Sequence, residues 1–165
     1  MSPTLPEDAG RPLRTALGRF ATGVTVVTAI DPDGHPIGLT VNSFAAVSLT
    51  PPLVLWSLHN DSHNFPAFKA VRHYCVNVLA VDQEDISNRF ATWPIDRFAN
   101  LAWQPGLGGA PVLAGCCAWF EVANQSQVPA GDHHTFFGLI ERYTTDLERL
   151  PLIFHGGKYA RLDAS

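Results

Sequence analysis

Apolar and polar positions along this chain recur mostly with the period of a strand. VTVVTAI (24–30) is β-branched, and after the turn-forming DPDG (31–34) the run HPIGLTV (35–41) returns with the same character, so the pair predicts a β-hairpin. PLVLWSL (52–58) is nearly all apolar, which predicts a strand buried on both faces. YCVNVLAV (74–81), CCAWFEVANQSQV (116–128) and TFFGLIERYTTDL (135–147) read as further strands, the last two joined by a tight PAGDHH loop. PLIFHGGKYARL ends the chain with one or two short strands around Gly156 and Gly157.

Helical spacing is confined to short stretches. Leu13, Ala16, Leu17 and Phe20 fall on one helical face, with Gly23 as a stop. HNDSHNFPAFKAVRH predicts a polar loop followed by a short helix. DQEDISNRFA (82–91) predicts a helix capped by Asp82, with Asp85 three residues on. Residues 92–115, rich in Gly, Pro and Trp, read as a long covering loop, and residues 1–10 as a disordered lead-in. Without regular βαβ alternation, a doubly wound sheet is disfavoured. The pattern predicts one mainly β domain with short helices over 11–165, an antiparallel barrel closed on itself with helices plugging or flanking it.

Composition changes the picture in one respect. The chain of 165 residues is 46% hydrophobic but only 16% charged, against roughly 25% in ordinary soluble domains. An apolar surface of that kind predicts cover by another subunit. The net charge of -4 and the scattered 11 lysines and arginines argue against nucleic-acid binding, which needs a basic patch. No run of about 18 apolar residues predicts a membrane-spanning helix. MSPTLPEDAG lacks the pattern of a signal peptide, so a cytoplasmic setting is expected. Cys75, Cys116 and Cys117 fit neither a disulfide framework nor a zinc spacing and read as buried structural thiols.

Three stretches carry candidate chemistry. GLTVNSFAAVSLTPPL (38–53) crowds Thr40, Asn42 and Ser43 into the end of a strand. Hydroxyls, an amide and backbone N–H groups there suit an anion or a planar heterocycle with several acceptors; a turn satisfying its own backbone is the competing reading. In PAGDHHTFFG (129–138), Gly131 and Asp132 make a turn, and His133 and His134 follow on opposite faces of a strand, one inward and one outward. They cannot easily share a metal, and the inward ring either serves a ligand or ties down the turn. His59 and His63 are four apart, but their surroundings are loop-like and no third ligand follows, so no metal site is expected. Ser57, Asn60, Ser62 and Asn64 offer hydroxyl and amide contacts to a phosphate instead. Dinucleotide, P-loop and nucleophile-elbow motifs are absent, as is a catalytic carboxylate pair.

Taken in order, FATGVTVVTA, GLTVNSFAAVSLTPPLV, NFPAF, YCVNVLA, NRFA, DRFA, PVLAGCCAWFE, GDH and GGKYARL resemble the short-chain flavin reductases, the reductase components of two-component monooxygenases, from about Leu13 to Leu162. The resemblance implies a split antiparallel β-barrel that dimerises and binds FMN or FAD non-covalently, with NADH or NADPH as hydride donor and a flavin-dependent monooxygenase as partner. It implies that Thr40, Val41, Asn42 and Ser43 lie along the flavin. Ser57, Asn60 and Ser62 would approach its phosphate, Phe90 the ring, and Gly131, Asp132 and His133 the nicotinamide, with His133 the catalytic candidate. The chain departs from many relatives in the phosphate loop, where His59 and Asn60 stand in place of an arginine. A flavin carrier without a nicotinamide site is the alternative on the same barrel.

Overall fold

Twelve strands, three α-helices and one 3-10 turn follow from this pattern in a computed structural model, which describes residues 10–92 and 96–162. The strands are β1 (Thr22–Gly23), β2 (Thr25–Ile30), β3 (Pro36–Val41), β4 (Ala45–Leu49), β5 (Pro52–His59), β6 (His73–Val78), β7 (Trp103–Pro105), β8 (Pro111–Leu113), β9 (Ala118–Ala130), β10 (His133–Thr145), β11 (Ile153–His155) and β12 (Lys158–Ala160). The helices are α1 (Gly10–Leu17), α2 (Phe65–Ala70) and α3 (Glu84–Ala91). Seven strands form one antiparallel sheet in the order β3-β2-β6-β9-β10-β5-β4. The sheet curls but does not close: its edge strands β3 and β4 are joined by residues 42–44 rather than by a ladder. The barrel is therefore split, as the family resemblance implies, and the closed barrel expected from the hairpin pattern is corrected.

The inner face is organised by aromatics. Trp56 of β5 stacks on Phe136 of β10, ring centroids 4.6 Å apart, and meets Phe68 and Tyr74 edge-on. All four are fully buried, and large rings of this kind dominate the energy of a core. A second cluster, with Val26, Leu79, Phe90, Leu113 and Leu152, lies under the segment between α3 and β9. That segment is more ordered than a loop. β7 and β8 pair within it, and the buried Asn77 pins it to the sheet by accepting from Leu113 N at 2.8 Å while donating to Val26 O and Thr28 Oγ1, each at 3.0 Å.

β9 and β10 form a long hairpin closed by the two-residue loop Gly131-Asp132. Gly131 has φ +64°, the positive first position that a tight hairpin turn favours. Both strands thus sit two residues nearer the turn than the boundaries read from the sequence: His133 and His134 lie on β10, while Cys116 and Cys117 precede β9. Two bulges interrupt the ladder. Gln125 is the extra residue on β9, Glu141 the extra one on β10, and the offsets cancel, so the register beyond them is the same at both ends of the hairpin. Gly138 sits between the bulges where a Cβ would collide with the Tyr74 hydroxyl and Val122 Cγ1.

Other expectations need correction. β5 is not buried on both faces: Val54, Trp56 and Leu58 point inward, while Leu53, Leu55 and Ser57 are half-exposed. A strand with only β4 beyond it has no second layer over its outer face. Asp82 does not cap α3; its carboxylate accepts from Arg149 Nη1 at 3.3 Å. Gln83 is the N-cap residue, but its side chain binds Ala80 N and Ala114 O instead of capping. Glu84 and Asp85 then favour the positive helix start. α1 buries none of its residues, and Leu17 and Phe20 are 65% and 79% exposed. Of the expected disordered lead-in, Gly10 opens α1 and the remainder lies outside the described residues. Among the described residues no helix is long and apolar enough to cross a membrane. Desolvation raises all three thiols, Cys116 to about 12, which keeps them protonated and inert.

Candidate functional site

The open seam of the barrel brings the three candidate stretches into one row. Ser43, in the connection between β3 and β4, accepts from Ser57 N at 2.9 Å and donates back to Ser57 O at 3.2 Å. Ser57 is paired with Thr135 of β10, their hydroxyls 3.0 Å apart. Two residues further along the same ladder, His59 is paired with His133. Small polar side chains at these positions therefore lie side by side because register, not sequence proximity, aligns them.

The turn between β9 and β10 is tied to the end of β5 through Asn60. Its N–H donates to Asp132 O at 3.0 Å, and its amide nitrogen to Gly131 O at 3.4 Å. His134 Nδ1 donates to Asn60 Oδ1 at 2.6 Å, with its ring tilted over Phe65. His134 thus acquires a structural role that the sequence did not supply. His133, on the opposite face of β10, is held by Asp132: Nδ1 lies 2.7 Å from Oδ1. The hydrogen bond from His133 holds the Asp132 carboxyl below its ordinary value, so it is ionised at neutral pH. The two rings lie on opposite faces of β10, and both are half-buried. His133 Nε2 takes no protein partner among the described residues.

The remaining candidates are distributed around this row. Thr40 donates its hydroxyl to Ser87 O at 2.7 Å, which anchors β3 on α3. The Val41 side chain belongs to the core, its carbonyl accepts from Thr25 Oγ1 at 3.0 Å, and Asn42 is exposed. The Ser62 hydroxyl accepts from Asn64 N at 3.3 Å. Phe90 is not brought to the row: it is 1% exposed and lies behind Gly38, where a Cβ would stand 2.8 Å from its ring. The sequence reading assigned no residue of the closing segment, yet Tyr159 hydrogen-bonds through its hydroxyl to Ser87 Oγ at 2.7 Å and donates to Asn88 Oδ1 at 3.0 Å, beside the Thr40 anchor. Its only signal in the sequence is its place in the GGKYARL stretch. Among the described residues no group of His, Cys, Asp and Glu could hold a metal. A separate cleft of about 630 Å³, walled by Trp103, Trp119, Glu121 and Arg142, lies toward the opposite end of β10 from His133.

The donor set in the row is hydroxyls, main-chain groups and one oriented imidazole. Such a set has the chemistry to grip a polar heterocycle by its edge. The chain is 46% identical to the FMN reductase (NADH) SmoA of Agrobacterium fabrum over 92% of its own length and 85% of that protein. It is also 46% identical to a probable flavin reductase of Rhizobium meliloti, covering 81% of the chain but 43% of that longer protein; the chain spans under half the length of such relatives. The solved structure of the Streptomyces globisporus NADH:FAD oxidoreductase SgcE6, in complex with NAD and FAD fragments, superposes with a TM-score of 0.89 at 36% identity over 98% of each chain. The model of the flavin reductase like domain matches residues 17–163, nearly the whole of the sequence, and the chain belongs to that family.

Proposed function

We propose that the chain is an NAD(P)H:flavin oxidoreductase that binds FMN or FAD non-covalently and supplies reduced flavin to a partner monooxygenase. When bound, the flavin would accept at N5 the hydride that nicotinamide C4 gives up. The observation that carries this reading is the single row formed by Ser43, Ser57, Thr135 and His133, which unites the stretches 40–43, 57–64 and 131–134.

The residues of the row have separable tasks. Ser43 and Ser57 fix the 42–44 connection, so that its main-chain N–H groups are held ready for the negative charge a reduced ring develops. Thr40 holds the preceding strand on α3. Ser62 and the exposed Asn42 sit at the rim, where phosphate and ribityl oxygens need donors. His133, steadied by Asp132, presents Nε2 as an acceptor for the nicotinamide carboxamide N–H. That contact orients one ring over the other, which is where the rate gain of a hydride transfer between bound partners originates. No acid or base is required for this step. The relatives named for NADH support NADH as donor.

The exposed Leu17, at the end of α1, and Phe20, just beyond it, together with the edge strand β4, where Leu49 is 89% exposed, fit cover by a second copy of the chain. The deciding experiment is NADH consumption, followed at the reduced-nicotinamide absorbance band, with FMN, FAD or no flavin added. Consumption that saturates with one flavin is expected. Flavin binding without consumption would leave only a carrier.

A further inference from the structure

The Asp132 carboxylate stands between two imidazoles. His133 Nδ1 lies 2.7 Å from Oδ1, and His59 Nε2 lies 3.7 Å from Oδ2. The two rings belong to directly opposed residues of β5 and β10 and meet edge-on at 5.1 Å. Asp61 N donates to His59 Nδ1 at 3.1 Å. A backbone N–H can only donate, so in the neutral ring Nδ1 is bare and the proton sits on Nε2, the atom that faces Asp132. A carboxylate approached from both sides by N–H groups keeps the proton of His133 on Nδ1, which leaves His133 Nε2 as an acceptor.

We propose that His59 is a positioning residue for His133, acting through Asp132, with Asp61 fixing the His59 tautomer. The proposal rests on the reading of His133 as the nicotinamide contact. The Asp132 side chain is 76% exposed, and one hydrogen bond from a neighbouring ring does not restrict its rotation about the turn. The second imidazole supplies the missing restraint. At 3.7 Å this is an electrostatic contact rather than a hydrogen bond, so it biases the carboxylate instead of locking it.

The test uses the full chain labelled with ¹⁵N-histidine, as wild type, His59→Ala and His59→Gln, whose amide N–H can replace the donor. With the rings neutral at alkaline pH, wild type is expected to show His133 as the Nδ1–H tautomer, His59→Ala a mixture, and His59→Gln a return to wild type. In the reductase assay His59→Ala is expected to raise KM for NADH about three- to tenfold, the loss of one modest interaction, with kcat within about twofold. An unchanged tautomer and an unchanged KM in His59→Ala would overturn the proposal, as would a mixed tautomer already present in wild type. If wild type oxidises no NADH the reductase reading falls, while the tautomer spectra still decide the role of His59.

Discussion

Ser43 and Ser57 are bound to each other twice, the hydroxyl of one accepting the N–H and donating to the carbonyl of the other at 2.9 and 3.2 Å. A side chain here substitutes for the ladder that the sheet edge lacks. The polarity of the 40–43 stretch is thus structural in its first contact and, under the proposed function, ligand-directed in what it holds in place.

Ser43→Ala removes both bonds. At about 0.5–1.5 kcal/mol each, the variant should lose about 1–3 kcal/mol of stability and bind flavin more weakly. Ser43→Leu should abolish binding by filling the ring edge. Thermal melts and flavin fluorescence titrations check both, and a normal titration for Ser43→Leu counts against the site.

His133→Ala should lower NADH turnover by about tenfold, the scale of one lost hydrogen bond, with flavin affinity nearly intact. Steady-state kinetics beside a flavin titration measure this. Turnover equal to wild type removes His133 from the mechanism.

The acid side of the Asp132–His133 contact has a definite sign. Because the hydrogen bond from His133 lowers the folded Asp132 pKa, the unfolded chain binds that proton more readily. The contribution of the contact is complete above the ordinary aspartate value and disappears as pH falls through the lowered one. The Asp132 carboxyl carbon should titrate below a free aspartate by NMR, and His133→Ala should move it upward.

Asn77→Ala should destabilise the fold by about 2–6 kcal/mol, since it strands buried groups on β2 and β8 at about 1–3 kcal/mol each. At a few degrees per kcal/mol for a chain of this size, Tm should fall by roughly 5–20 °C. A melt within about 2 °C of wild type would mean that water replaces the amide without loss.

Phe20→Glu combined with Leu17→Glu should convert a dimer to a monomer by light scattering, because both side chains are exposed in the single chain. A wild type already monomeric at micromolar concentration would remove the need for a partner surface.

The strands were legible because their periodicity is local. The DPDG turn closes on itself, with Asp31 Oδ1 accepting from Asp33 N and His35 N, and Gly131 takes the positive φ that the GDH turn required. What was not legible depends on distant neighbours. Asn77 reads as one polar residue in an apolar strand, and only the arrival of Leu113 shows why it is buried. Asp82 looks like a cap until Arg149, far along the chain, takes its carboxylate. The same holds for the site. Ser43 and His133 could be singled out by type, but Thr135 and His59 join them only through register, and Tyr159 reaches Ser87 from the other end of the sequence.

The paired bulges of the long hairpin act as two slack links in an otherwise continuous chain of pairs. Without Gln125, Ser126 and Asn124 would stand as neighbours opposite Phe137 and Gly138; without Glu141, Ile140 and Arg142 would stand as neighbours opposite Val122 and Glu121. Either loss would straighten the ladder where it occurs and leave the Gly131-Asp132 loop closed. A change of one residue in length is therefore absorbed locally as a change of bend and twist, while His133, in unbroken register with β5, keeps its place on the seam.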